Sequence, residues 1–79
     1  MSSSPHVTIN LFASLRSFTP ENADRFPISP GQTVQEVLMK LEVPLDDVQL
    51  IFINGTKADL STSLNGGERV GVFPPVGGG

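Results

Sequence analysis

Thr33-Val34-Gln35-Glu36-Val37-Leu38-Met39-Lys40-Leu41-Glu42-Val43-Pro44 holds the clearest helical pattern in the chain. Thr33 and Glu36 have the spacing of a capping box, in which a threonine hydroxyl and a glutamate carboxylate satisfy two free N–H groups of a helix start. Val34, Val37, Leu38 and Leu41 follow at i, i+3, i+4 and i+7, so they form one apolar stripe. Pro44 is expected to end the helix, and it biases Val43 away from helical geometry. The stripe reads as core, with Met39 at its rim. No second segment has this period, so a single helix must cover one face of a sheet.

Outward from the helix the period changes to two. Val7, Ile9, Leu11 and Ala13 alternate with Thr8, Asn10 and Phe12, which predicts a first strand with one buried face. Residues 14–24 are polar and contain Thr19-Pro20-Glu21-Asn22, a loop signal. Arg25-Phe26-Pro27-Ile28 is a short β segment that Pro27 confines to an edge or a bulge. Leu50-Ile51-Phe52-Ile53 predicts a strand, Asn54-Gly55 a tight hairpin turn, and Lys57-Ala58-Asp59 a short return strand. Leu60 and Leu64 pin a Ser/Thr-rich link. Asn65-Gly66-Gly67 turns the chain again, and Glu68 to Phe73 makes a last strand.

The order is β, β, α, β, short β, β. It predicts an α+β domain, a mixed sheet of four to five strands covered by one main helix. If the last strand lies beside the first, the chain's end leaves from the middle of the sheet. If Val7, Ile9, Leu11, Ile51, Ile53, Val70 and Val72 face the helix, then Phe12, Phe52 and Phe73 point to the other side. An uncovered apolar patch of that kind marks a protein interface. Folding of residues 14–24 or 56–67 over it is the alternative.

Seventy-nine residues make one domain. At this size only about 60% of the unfolded chain's surface is buried, so the core is modest. There is no cysteine, which excludes disulfides, thiol catalysis and thiolate metal sites. Five basic against eight acidic residues give a net charge of −3, and the basic residues are scattered. Nucleic acid is therefore not an expected partner, and a mildly acidic body favours a basic partner surface. No apolar run is long enough to span a membrane and no secretory signal is apparent, so a cytoplasmic location is expected. Residues 1–6 read as a disordered leader, 7–73 as the folded domain and 74–79 as an extended, flexible tail.

Enzymatic machinery is thin. His6 has no partner in the pattern. Asp46-Asp47 fit a solvated turn better than paired acid–base work. The serines lack a nucleophile elbow, and Gly66-Gly67 lacks the spacing of a phosphate loop. No catalytic or metal-binding residue is expected.

The stretch Phe73-Pro74-Pro75-Val76-Gly77-Gly78-Gly79 is different. Two prolines hold the start of a tail extended, and glycines without Cβ can thread a narrow slot. The carboxylate of Gly79 is ionised at neutral pH and a poor electrophile. Attack on the α-phosphate of ATP would make an acyl-adenylate. A sulfur donor could then displace AMP and leave a terminal thiocarboxylate. ATP and Mg²⁺ would belong to the activating enzyme; none is expected to bind here.

Asn10-Leu11-Phe12-Ala13-Ser14-Leu15-Arg16, Ile53-Asn54-Gly55 and the run from Leu64 through Asn65-Gly66-Gly67-Glu68-Arg69-Val70-Gly71-Val72-Phe73-Pro74-Pro75-Val76-Gly77 to Gly78 resemble the MoaD/ThiS sulfur carriers. The double proline is most similar to the small subunit of molybdopterin synthase. The resemblance implies a ubiquitin-like β-grasp fold and a non-catalytic carrier. It implies adenylation at Gly79 by an E1-like enzyme and sulfur delivery from a sulfurtransferase or other donor. It also implies insertion of the tail into the large subunit of molybdopterin synthase, or into thiazole synthase for the thiamine pathway. On this template Gly77 and Gly78 thread the slot, and Phe73, Pro74 and Pro75 position the exit; together with Phe12 and Phe52 of the outer patch these three are the expected partner-binding residues. A ubiquitin-like modifier joined to lysines through Gly79 is the alternative of another class.

Overall fold

A computed structural model describes residues 5–75. The elements run β1 (His6–Leu11), β2 (Phe26–Pro27), β3 (Gln32–Thr33), α1 (Val34–Lys40), β4 (Leu50–Ile53), β5 (Thr56–Ala58), β6 (Ser63–Leu64) and β7 (Arg69–Phe73). Short 3₁₀ turns lie at Ala13–Phe18, Ala23–Arg25 and Leu45–Asp47. The main sheet has the order β2-β1-β7-β4-β5. β7 is central, parallel to β1 and antiparallel to β4. β2 is an edge strand, as its proline requires. β3 and β6 form a separate two-stranded sheet.

One face of the sheet meets the helix. Val7, Ile9, Leu11, Ile51, Val70 and Val72 are buried against Val34, Val37 and Leu38 of α1. Ile53, at the end of β4, is only partly buried. The expected capping box is present. The Thr33 Oγ1 accepts from the Glu36 N–H at 3.2 Å, and the Glu36 carboxylate accepts from the Thr33 N–H at 3.0 Å. Met39 is exposed on the helix's outer side.

The helix stops earlier than its stripe suggests, and Pro44 is not what stops it. Glu42 takes a left-handed φ of 63°. Its N–H donates to the Met39 carbonyl, and the Val43 N–H donates to the Leu38 carbonyl, both at 3.0 Å. This is a Schellman cap with glutamate at the position glycine usually takes. Its apolar members, Leu38 and Val43, are both buried.

Strand limits also differ from the sequence reading: the last strand starts at Arg69 rather than Glu68, β2 narrows to Phe26–Pro27, and β3 and β6 were not expected. β1 takes in His6, which was placed with the leader, and Pro5 accepts a hydrogen bond from the Ile28 N–H at 3.0 Å. Ala13 is not strand; its φ of 53° breaks the alternation and starts a 3₁₀ turn. Within that turn Leu15 and Phe18 are three apart and so share a side. Leu15 is buried in the core and Phe18 packs against it, in a segment read as polar loop.

Asn54 and Gly55 both have positive φ, the signature of a type I′ turn. Ile53 then pairs directly with Thr56, so the return strand is Thr56–Ala58 rather than 57–59. Asp59 instead orders the next turn, accepting from the Ser61 N–H at 3.1 Å and its hydroxyl at 2.7 Å.

Candidate partner-docking face and chain exit

The side of the sheet away from the helix carries the site. Leu11 points inward, so the next residue, Phe12, points outward, and its N–H donates to the Val72 carbonyl at 3.1 Å. In β7, Val70 and Val72 point inward while Arg69, Gly71 and Phe73 point outward, and Phe52 stands opposite Gly71. The rings of Phe12 and Phe73 stack with centroids 4.2 Å apart and planes 4° from parallel. Phe52 meets Phe73 edge-on at 5.8 Å. Phe73 thus sits at the centre of the aromatic cluster and is also the last residue of the central strand.

The cluster is open. Phe12 is 40% exposed. The apolar residues of the two flanking segments, Phe18, Ala23, Ala58 and Leu60, pack on the core instead. No residue of 14–24 or 56–67 lines the shallow groove of about 440 Å³ over the cluster. The three phenylalanines singled out in the sequence therefore come together. Asn10, Asn54, Gly55, Arg69 and Gly71 complete the groove and were not read as site residues. Period two along β1 and β7 was the available signal for Asn10, Arg69 and Gly71.

The exit lies beside the cluster. The Phe73 carbonyl accepts from the Gln49 N–H at 2.8 Å, which holds the strand to its last residue. Pro74 is buried and Pro75 is exposed. Gly77, Gly78 and Gly79 lie outside the described residues, so their expected roles are not addressed by the structure.

At the other end of β7, Gly66 and Gly67 carry the chain into the strand. A Cβ on Gly66 would lie 2.9 Å from the Cβ of Pro5, so only glycine fits. The Glu68 carboxylate accepts from the Asn65 N–H at 2.9 Å and the Gly66 N–H at 2.7 Å. Burial pushes its pKa up, but these backbone donors outweigh burial and hold it below the usual range. Asp59 is lowered likewise, first by its Ser61 hydroxyl bond and then by the Ser61 N–H. Both carboxylates order turns. Among the described residues no group of His, Asp and Glu is placed to hold a metal ion, and no helix is long and apolar enough to cross a membrane.

Comparison with known proteins agrees with this geometry. The ThiS family model matches residues 9–79. No curated protein matches the sequence. Among solved structures, the Haloferax volcanii HVO 2177 protein is similar with a TM-score of 0.70 at 23% identity, over 95% of this chain and 87% of that one. The small archaeal modifier protein 1 of H. volcanii is similar with a TM-score of 0.68 at 23% identity, over 92% of this chain and 100% of the other. A putative molybdopterin converting factor subunit 1 from Pyrococcus furiosus is similar with a TM-score of 0.63 at 26% identity, again over 92% and 100%. The sheet order, the single covering helix and the sequence match from Ile9 onward lead to one assignment: the chain belongs to the ThiS family of small ubiquitin-like carrier proteins with a β-grasp fold.

Proposed function

We propose that this chain is a sulfur carrier for molybdopterin synthesis, with Gly79 as the point of attachment. The observation that carries the reading is the position of Phe73. It ends the central strand, anchors the open aromatic cluster, and leads directly into Pro74 and Pro75. A partner docked on Phe12, Phe52 and Phe73 would receive the following residues at a set distance and direction. From Pro74 to Gly79 the reach is at most about 20 Å. Positioning a reactive group from a rigid element is what transfer between two active sites requires.

The chemistry runs in two steps. The Gly79 carboxylate attacks the α-phosphorus of ATP, and pyrophosphate leaves with Mg²⁺ of the activating enzyme. A donor at the sulfide level then attacks the acyl carbon. The C–S bond forms, the C–O bond to AMP breaks, and the thiocarboxylate remains with one proton released. The E1-like enzyme supplies catalysis, and this chain supplies the carboxylate and the docking face. It acts as co-substrate and as the non-catalytic small subunit beside the large subunit of molybdopterin synthase. The similarity to the P. furiosus molybdopterin converting factor subunit 1, over the whole of that chain, favours this pathway over thiazole synthesis.

Deletion of Gly79 tests the reading. ATP–pyrophosphate exchange by the cognate activating enzyme should depend on the full-length chain and vanish with the deletion, while thermal unfolding stays unchanged. Exchange that survives the deletion would contradict it.

A further inference from the structure

Asparagine is followed by glycine at Asn54-Gly55 and again at Asn65-Gly66. In such a pair no Cβ shields the glycine nitrogen, so the asparagine side chain can close a cyclic imide on the backbone. Both asparagines are exposed. An unfolded chain would treat the two alike, and the fold makes them different. The Asn54 side chain is tied: its Oδ1 accepts from the Arg69 N–H at 2.9 Å, while the Asn54 N–H donates to the Arg69 carbonyl at 2.9 Å. Ring closure there must first break the bond to Oδ1, which costs free energy.

Asn65 is arranged the other way. Its side chain makes no hydrogen bond among the described residues, and the nitrogen it must meet is already held by a base. The Gly66 N–H donates to Glu68 Oε1 at 2.7 Å, and the Asn65 N–H donates to Oε2 at 2.9 Å. A general base works from about 2.6–3.2 Å of the atom whose proton it takes, and Glu68 meets that condition. The N–H lies in the plane of the peptide, whereas the nitrogen's reactive π orbital stands perpendicular to it. Glu68 in the plane therefore leaves the face of the nitrogen open to Asn65 Cγ.

We propose that Asn65 is a self-modification site, with Glu68 as its general base. As the Gly66 nitrogen bonds to Asn65 Cγ, its proton passes to Glu68. The bond from Cγ to the side-chain nitrogen then breaks, and ammonia leaves with that proton. Water opens the ring at either carbonyl and leaves aspartate or isoaspartate at position 65. A carboxylate is a weak base, so its help lies in taking the proton while the new bond forms. Isoaspartate adds one methylene to the backbone between Leu64, which is fully buried, and Gly66, where even a Cβ would come within 2.9 Å of Pro5. The product loosens the entry to the central strand, which gives the folded chain a chemical lifetime of its own.

The test is peptide mapping by mass spectrometry after incubation of the full chain near neutral pH, folded and in denaturant. Each conversion adds about 1 Da at its asparagine. Asn65 should convert at least about tenfold faster folded than in denaturant, as a positioned base permits. Asn54 should do the reverse, and in denaturant the two rates should agree. Glu68→Gln keeps an acceptor at the turn but removes the base. In the folded variant Asn65 should slow by at least about tenfold, with Asn54 unchanged; loosening of the fold would show itself as a faster Asn54. The isoaspartate form, separated by its extra negative charge, should melt below the unmodified chain. An Asn65 rate no faster folded than in denaturant, or undiminished in Glu68→Gln, would overturn the proposal and show that Glu68 guards the nitrogen rather than activates it. Equal melting of the two forms would remove the lifetime.

Discussion

The two faces of the main sheet are built from the same strands and treat apolar side chains in opposite ways. Toward the helix, Val7, Ile9, Val70 and Val72 are at most 2% exposed. Toward solvent, Phe12 is 40% exposed, although phenylalanine is the more apolar residue by area. Along β7 the division alternates residue by residue, Val70 and Val72 inward, Gly71 and Phe73 outward. The inner face does the work of folding in a chain with a small core and no disulfide. The outer face leaves apolar area exposed, which on the proposed function a second protein covers. A mutation should therefore injure stability or docking according to the parity of its position.

The largest expected effect is on the inner side. Leu38 is fully buried beneath the sheet, and Leu38→Ala should cost about 2–5 kcal/mol, read by denaturant unfolding. In so small a domain that is a large share of the total. Phe73→Asp should cost only about 1–2 kcal/mol, the loss of its stacked and edge contacts, while sharply weakening partner binding by calorimetry. Unfolding of Phe73→Asp would show that the outer cluster belongs to the core and would erase the distinction between the faces.

Smaller effects come from the turns. Glu42→Gly relieves a left-handed residue at the helix cap and should stabilise by about 0.5–1 kcal/mol, with partner affinity unchanged because the cap lies on the helix side. Glu68→Gln should cost roughly half a kcal/mol near neutral pH, since backbone donors favour the carboxylate and solvent screens part of the gain. Because the folded pKa of Glu68 is lowered, its contribution is present above the ordinary carboxylate range and is lost as pH falls through the folded value. The stability gap between wild type and Glu68→Gln should close on acidification, as followed by thermal melts across pH 3–7.

The regular elements were legible from local pattern alone. The capping box at Thr33 and Glu36, the Asn54-Gly55 turn and the alternation in β1 and β7 each depend on neighbours in sequence, so the sequence displays them. The parity argument that placed Phe12, Phe52 and Phe73 together worked for the same reason. What stayed hidden depends on the tertiary surroundings. Leu15 enters the core from a segment whose composition is polar, because a 3₁₀ turn repeats every three residues and carries no amphipathic run long enough to see. The pairing of β3 with β6 involves two residues from each side, too few to show a period. Arg69 and Gly71 were read as strand only; their place in the outer groove emerges when β1 and β4 flank the central strand.

The central claim is that the chain functions through chemistry at its own terminal carboxylate while the outer face introduces it to the enzymes. Intact mass spectrometry, after incubation with the activating enzyme, Mg-ATP and a sulfide donor, tests this most directly. The account predicts a gain of about 16 Da from exchange of oxygen for sulfur, located by fragmentation at Gly79. An unchanged mass, or the same gain at any other residue, would contradict it.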